Sequence, residues 1–202
     1  MKNKPIKIYL LLFLFISSLW YTSCETRKEL VIQDDPVKIQ EMGGLSIALE
    51  FLSRETLEDM FGPPKKNPFI TVKYAVLYFR IVVFKIIISN QTAQECRINL
   101  SDIEIHFEGN NRRPTNKFLL KQYWKGMDMS QKIDPRDAFT KMSKIDKNMA
   151  KDRIFIKPNG SYRKLIVFKS SFPSYGTAKI YIPVLDKGTQ KLIYRFEFEY
   201  KF

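Results

Sequence analysis

Apolar and polar residues alternate along most of the chain after residue 44, and a period of two is the mark of half-buried strands. Leu45, Ile47, Leu49 and Phe51 share one face of a first strand. The most apolar internal stretch runs from Phe69 to Ser89. Lys73, Arg80 and Lys85 interrupt it, and its Ile, Val, Phe and Tyr favour a strand over a spanning helix. A central strand is predicted from about Leu77 to Ser89, with Val82, Phe84, Ile86 and Ile88 on one face. Arg80 and Lys85 fall on opposite faces, which leaves a bulge or two shorter strands open. Further strands are predicted over Cys96–Leu100, Ile103–Phe107, Lys117–Tyr123, Arg153–Ile156, Tyr162–Lys169 and Ala178–Val184. The last strand places Leu192, Tyr194, Phe196, Phe198, Tyr200 and Phe202 on one face, with Arg195, Glu197 and Glu199 on the other. Turn signals separate these runs: Asn90-Gln91-Thr92, the loop Gly109–Pro114, Pro158-Asn159-Gly160 and Asp186-Lys187-Gly188-Thr189.

The period changes twice. Ser53 can cap a short helix that ends at Gly62-Pro63-Pro64, with Leu57, Met60 and Phe61 facing the core. Asp134 can cap a second, with Pro135 at its first position. There Ala138, Phe139, Met142, Ile145 and Met149 fall on one arc, and Lys141, Lys144, Lys147 and Lys151 on the other. The pattern therefore predicts a mostly β domain over residues 45–202. It is an antiparallel β-sandwich of about seven or eight strands, with one inserted amphipathic helix at about 134–151 and a short N-terminal helix.

Residues 1–44 follow other rules. Lys2, Lys4 and Lys7 precede an uncharged apolar run, Ile8 to Trp20, and small residues follow. That is the layout of a secretory signal, and the run is shorter than the roughly 20 residues of a spanning helix. Thr22, Ser23 and Cys24 then resemble a bacterial lipobox of the relaxed, spirochaetal type, with Tyr21 where Leu is usual. The resemblance covers residues 1–24. It implies a lipoprotein signal peptide over 1–23 and a diacylglyceryl thioether with an added acyl chain on Cys24, enough chains for stable anchoring. Ordinary secretion and an uncleaved anchor are the alternatives. Residues 24–44 then read as the lipidated cysteine and a polar tether. The strand rhythm, the I-x-I-x-P-N-G turn at Ile154–Gly160 and the closing aromatic strand resemble the immunoglobulin-like domains of bacterial lipoproteins. That likeness carries over no functional residue.

Charge adds a class of partner. The net charge is +13, and removing the leader's three lysines leaves +10. Such a balance draws anionic surfaces, among them lipid headgroups and acidic glycans. Lys141, Lys144, Lys147, Lys151 and Arg153, with Arg112 and Arg113 on a loop, are the candidate anion-binding residues. Tyr123-Trp124-Lys125 either offers exposed aromatics beside charge, for carbohydrate or protein contact, or covers an edge of the core.

Catalytic and metal chemistry has little to work with. The chain has one histidine, His106, and two cysteines, Cys24 and Cys96. A lipidated Cys24 leaves Cys96 without a disulfide partner, as a buried thiol on a strand. Any Ser-His-Asp or Cys-His arrangement must pass through His106, on the polar side of its strand with Glu104 and Glu108. No phosphate-loop, dinucleotide or nucleophile-elbow motif occurs. Three glycosylation-type triplets, at Asn90, Asn99 and Asn159, carry little weight in a bacterial lipoprotein. The expectation is a non-catalytic binding or structural module without cofactor, metal or small-molecule substrate. It is lipid-anchored in the cell envelope, outer membrane in preference to inner. Its partner is an envelope protein or a polyanionic glycan and not nucleic acid. The alternatives are an accessory subunit of an outer-membrane assembly, docked by strand addition, and a hydrolase or metal-dependent enzyme centred on His106.

Overall fold

In the computed structural model the described residues are 29–70, 79–130 and 132–202. The leader, Cys24 and the expected strand start at Leu77 lie outside them.

Glu29 to Met42 departs from the expected tether. Strand β1 (Val37–Met42) pairs antiparallel with β2 (Leu45–Phe51) across Gly43-Gly44. Both glycines have positive φ, 54° and 84°, as a two-residue hairpin turn requires. A Cβ on Gly43 would also lie 1.8 Å from the Tyr194 hydroxyl. Leu30 and Ile32 pack against the core, and the Gln33 N–H donates to the Lys201 carbonyl.

Helix α1 (Arg54–Phe61) forms as its cap predicts. Ser53 Oγ accepts from the Thr56 N–H at 3.2 Å, and Gly62 closes the helix at a φ of 77°. Leu57 and Phe61 are buried, whereas Met60 faces solvent. Strand β3 (Arg80–Asn90) follows without a bulge, since its register with β8 (Ser161–Ser170) is continuous from Arg80 to Ser89. Strands β4 (Cys96–Asn99) and β5 (Glu104–Phe107) are close to expectation, and the polar loop after them holds a short β6 (Asn110–Arg112). Strands β7 (Arg153–Ile156), β9 (Thr177–Asp186) and β10 (Leu192–Lys201) complete the set. The β9–β10 register shifts between Leu192 and Tyr194, and Leu192, expected on the apolar face, is exposed.

The chain is mostly β, a sandwich of two antiparallel sheets. One has the order β1-β2-β3-β8; the other runs β6-β5-β9-β4-β7, with β10 on the remaining edge of β9. Ile47, Phe84 and Ile88 of the first sheet meet Ile98, Ile182 and Phe198 of the second in the main core. Tyr200 ties the layers together by donating its hydroxyl to the Leu49 carbonyl. Gln40 links the edges β1 and β10: its side-chain amide donates to the Glu197 carbonyl and accepts from the Glu197 N–H.

Two helices, not one, separate β6 from β7. Lys117–Tyr123, expected as a strand, opens helix α2 (Lys117–Ser130). Helix α3 (Pro135–Asn148) matches its predicted cap, with Asp134 accepting from the Arg136 N–H at 2.8 Å. The two cover the outer face of the first sheet, with α1. There Leu57, Trp124 and Ile145 pack on Val83, Leu165 and Val167 in a second core. The molecule thus has three layers: helices, sheet, sheet.

Candidate binding surface

The helical hairpin is built on an unusual buried pair. In α2, Asn116 Oδ1 accepts from the Leu119 N–H at 2.9 Å and starts the helix. Leu120, Trp124 and Asp128 then form its buried stripe at a spacing of four. Trp124 takes the core-covering of its two readings: it is buried, and its Nε1 donates to the Pro68 carbonyl at 2.8 Å. In α3 the inward residues include Lys141 and Ile145. Lys141 is 2 % exposed, its Nζ 2.6 Å from Asp128 Oδ1 and 4.2 Å above the Trp124 ring. A carboxylate and an aromatic face together replace the hydration the ammonium gives up.

This arrangement rotates α3 relative to the expected one. The periodicity predicts Lys141 on the wet side, and it lies in the core; it predicts Phe139 in the core, and Phe139 is 75 % exposed, while Ile145 and Met149 are buried as predicted. The other cations of the expected stripe divide. Lys144 Nζ donates to the carbonyls of Phe61 and Lys66, and burial, with the Lys66 charge nearby, lowers its pKa. Lys147, Lys151 and Arg153 face solvent. Arg112 Nε donates to Ser170 Oγ at 2.6 Å, and Arg113 approaches Glu104 at 3.4 Å, so both are held beside β5 and β8.

The rotation opens a second apolar face that the sequence reading did not identify. Phe118 and Met129 of α2 and Phe139 and Met142 of α3 wall a groove of about 600 Å³ between the helices. Phe118, Met129 and Phe139 are 65 %, 74 % and 75 % exposed. Lys121 and Lys125 line it from α2 and Lys132 from the turn between the helices, and the Asp128 beneath is already paired with Lys141. Lys121 pairs with Asp146; Lys125 and Lys132 have no ion pair among the described residues. Contiguous exposed apolar surface rimmed by charge marks an interaction site more often than isolated exposed residues do. A signal was present in the sequence: Phe118, Met129 and Phe139 all lie off the stripe that each helix buries.

The His106 neighbourhood has different chemistry. His106 Nε2 lies 3.2 Å from Glu104 Oε2, and its ring meets Tyr181 edge-on at 4.8 Å. Glu108 turns away to accept from the Thr177 N–H. The contact with His106, then Arg113, holds the Glu104 carboxyl below its usual pKa. Cys96 points into the inter-sheet core, where burial pushes its thiol pKa up. Among the described residues no group of three His, Cys, Asp or Glu side chains is placed to hold a metal ion. None of the described helices is long and apolar enough to cross a membrane. Asn90, the first of the triplet asparagines, is buried, its amide donating to the carbonyls of Gln94, Ile156 and Lys157.

No protein-family model matches the sequence, and a search of curated proteins finds no match. Solved structures give distant likenesses. A FixG-related protein from Vibrio parahaemolyticus is 10% identical, with a TM-score of 0.36 over 79% of this chain and 97% of that one. The Bacillus subtilis protein ycdA, described as a candidate lipoprotein, is 8% identical, with a TM-score of 0.41 over 82% of this chain. The chain spans 39% of ycdA's length. The structural genomics target SoR45 is 8% identical, with a TM-score of 0.37 over 78% of this chain and 88% of that one.

Proposed function

We propose that the chain is a lipid-anchored cell-envelope lipoprotein that acts by contact and not by catalysis, with the α2–α3 groove as its binding face. The leader supports the anchor: a basic start, a short apolar run and Cys24 directly before the charged stretch Glu25–Glu29. The groove supports the binding role, and it is the observation that carries this reading, because a monomer gains nothing in stability from three large apolar side chains left in water. The non-catalytic part is supported by the separation of Cys96 from His106, one inside the sandwich and the other on its outer side. A thiol and an imidazole on opposite faces of a sheet cannot exchange a proton.

Metabolic labelling with radioactive palmitate tests the anchor. The wild-type protein should take up label and fractionate with membranes; the Cys24→Ser protein should do neither. An unlabelled wild-type protein recovered from the culture fluid refutes the anchor.

A further inference from the structure

The groove has a length and a charge distribution, and together they describe an occupant. From Phe118 to Met129 its α2 wall spans three helical turns, roughly 16 Å at 1.5 Å per residue. Its walls are aromatic and thioether groups; methionine is unbranched and polarizable and adapts to irregular apolar partners. Its cations are not gathered at one end. Lys121 and Lys125 sit on the α2 wall one turn apart, and Lys132 follows from the turn beyond its C-terminus, seven residues on.

A single-headed amphiphile has one charge at one end and would use one of these lysines. A flat anionic bilayer does not fill a concave slot. A helix that carries acidic side chains beside an apolar stripe meets both features along its whole length. We propose that the groove seats an acidic amphipathic helix of a partner protein, its apolar stripe against Phe118, Met129 and Phe139 and its carboxylates toward Lys125 and Lys132. The bound helix would pack against α2 and α3 on their solvent side. The inference rests on the groove being the binding face, and is independent of the lipid on Cys24.

Photocrosslinking of the full-length chain in its own cells tests it. Phe139 is replaced by p-benzoylphenylalanine; Phe155, exposed on β7 of the other sheet, is replaced likewise as the control. Mass spectrometry should place the Phe139 adducts on a protein segment with apolar residues at i, i+3 or i+4 and i+7 and an excess of Asp and Glu. Their yield should fall at least tenfold when Lys125→Glu and Lys132→Glu are added. If charge reversal disturbs folding, Lys125→Gln with Lys132→Gln is read the same way, with a smaller loss. Adducts on phospholipid, on a second copy of this chain or on a segment without acidic excess overturn the proposal. So do equal yields of the same adduct at Phe155, the absence of any adduct, and a yield indifferent to the lysines. Palmitate incorporation is unaffected by any of these results, so failure of the groove and failure of the anchor are read separately.

Discussion

His106 and Glu104 are neighbours on the outer side of β5, 3.2 Å apart, and each is about one-third exposed. The contact changes one carboxylate: hydrogen bonding to His106, with Arg113 behind it, favours the ionised Glu104. A folded-state pKa below the unfolded value contributes stability that is complete above the unfolded pKa. That contribution is lost as pH falls through the folded one. Glu104→Gln should therefore lower stability near neutral pH, and its difference from wild type should shrink as pH falls below about 4, the ordinary carboxylate range. Urea unfolding across a pH series measures the difference; a gap that stays constant from neutral to strongly acid pH contradicts it. Tyr200 is a residue of another kind. Its phenol pKa is raised mainly by burial, and the hydroxyl is committed to the Leu49 carbonyl, so it serves as a bolt between sheets.

Helices α2 and α3 are joined through one buried ion pair, Asp128 with Lys141, and each residue is the polar member of its helix's buried stripe. Removing one partner leaves the other charge unpaired in a dry site, at a cost of about 3–5 kcal/mol. Replacing both by apolar groups removes the desolvation cost with the attraction and is often neutral or better. Lys141→Met should therefore unfold at markedly lower denaturant, and Lys141→Met with Asp128→Leu should regain most of the loss. Equal unfolding midpoints for the single and double variants in chemical denaturation would show that the pair is not coupled in this way. The strands need no such device. Their Ile, Val and Phe alternate with polar residues and require no knowledge of a neighbour, so β2 and β8 to β10 were legible to within a few residues. The helices were only partly so. Caps at Ser53 and Asp134 marked two starts correctly, and Ile145 and Met149 were read inward as they are found; but a stripe containing Asp128 hid α2, and one containing Lys141 left Phe139 misplaced.

Across the whole molecule, the first sheet belongs to both cores. Phe84 faces the second sheet and its neighbour Val83 faces the helices, both fully buried. Neither core can open without exposing that sheet, so the described domain should unfold in one step. With Trp20 replaced by Phe, Trp124 fluorescence reports the helical layer and far-UV circular dichroism is sensitive to the sheets. The two transitions should coincide in denaturant. A fluorescence change that precedes the loss of sheet signal would separate the helical layer from the sandwich. The basic charge is likewise a property of the whole, but its use is local. Lys144 is spent on backbone carbonyls and Lys141 on a carboxylate, while Lys125 and Lys132 remain beside an apolar groove.

By itself the sequence determined the strand rhythm, the turns, two helix caps and the sandwich class, because each depends on a period or a residue within a few positions along the chain. Tertiary structure alone decided that Val37–Met42 joins a sheet, that Trp124 is buried, and that α3 turns Lys141 inward and Phe139 outward. The reason is that a buried charge is readable only with its partner. Asp128 and Lys141 are thirteen positions apart on different helices, and each looks like a surface residue until the fold sets them 2.6 Å apart. Once that pair turns inward, Phe139 must turn outward, and the groove is the consequence.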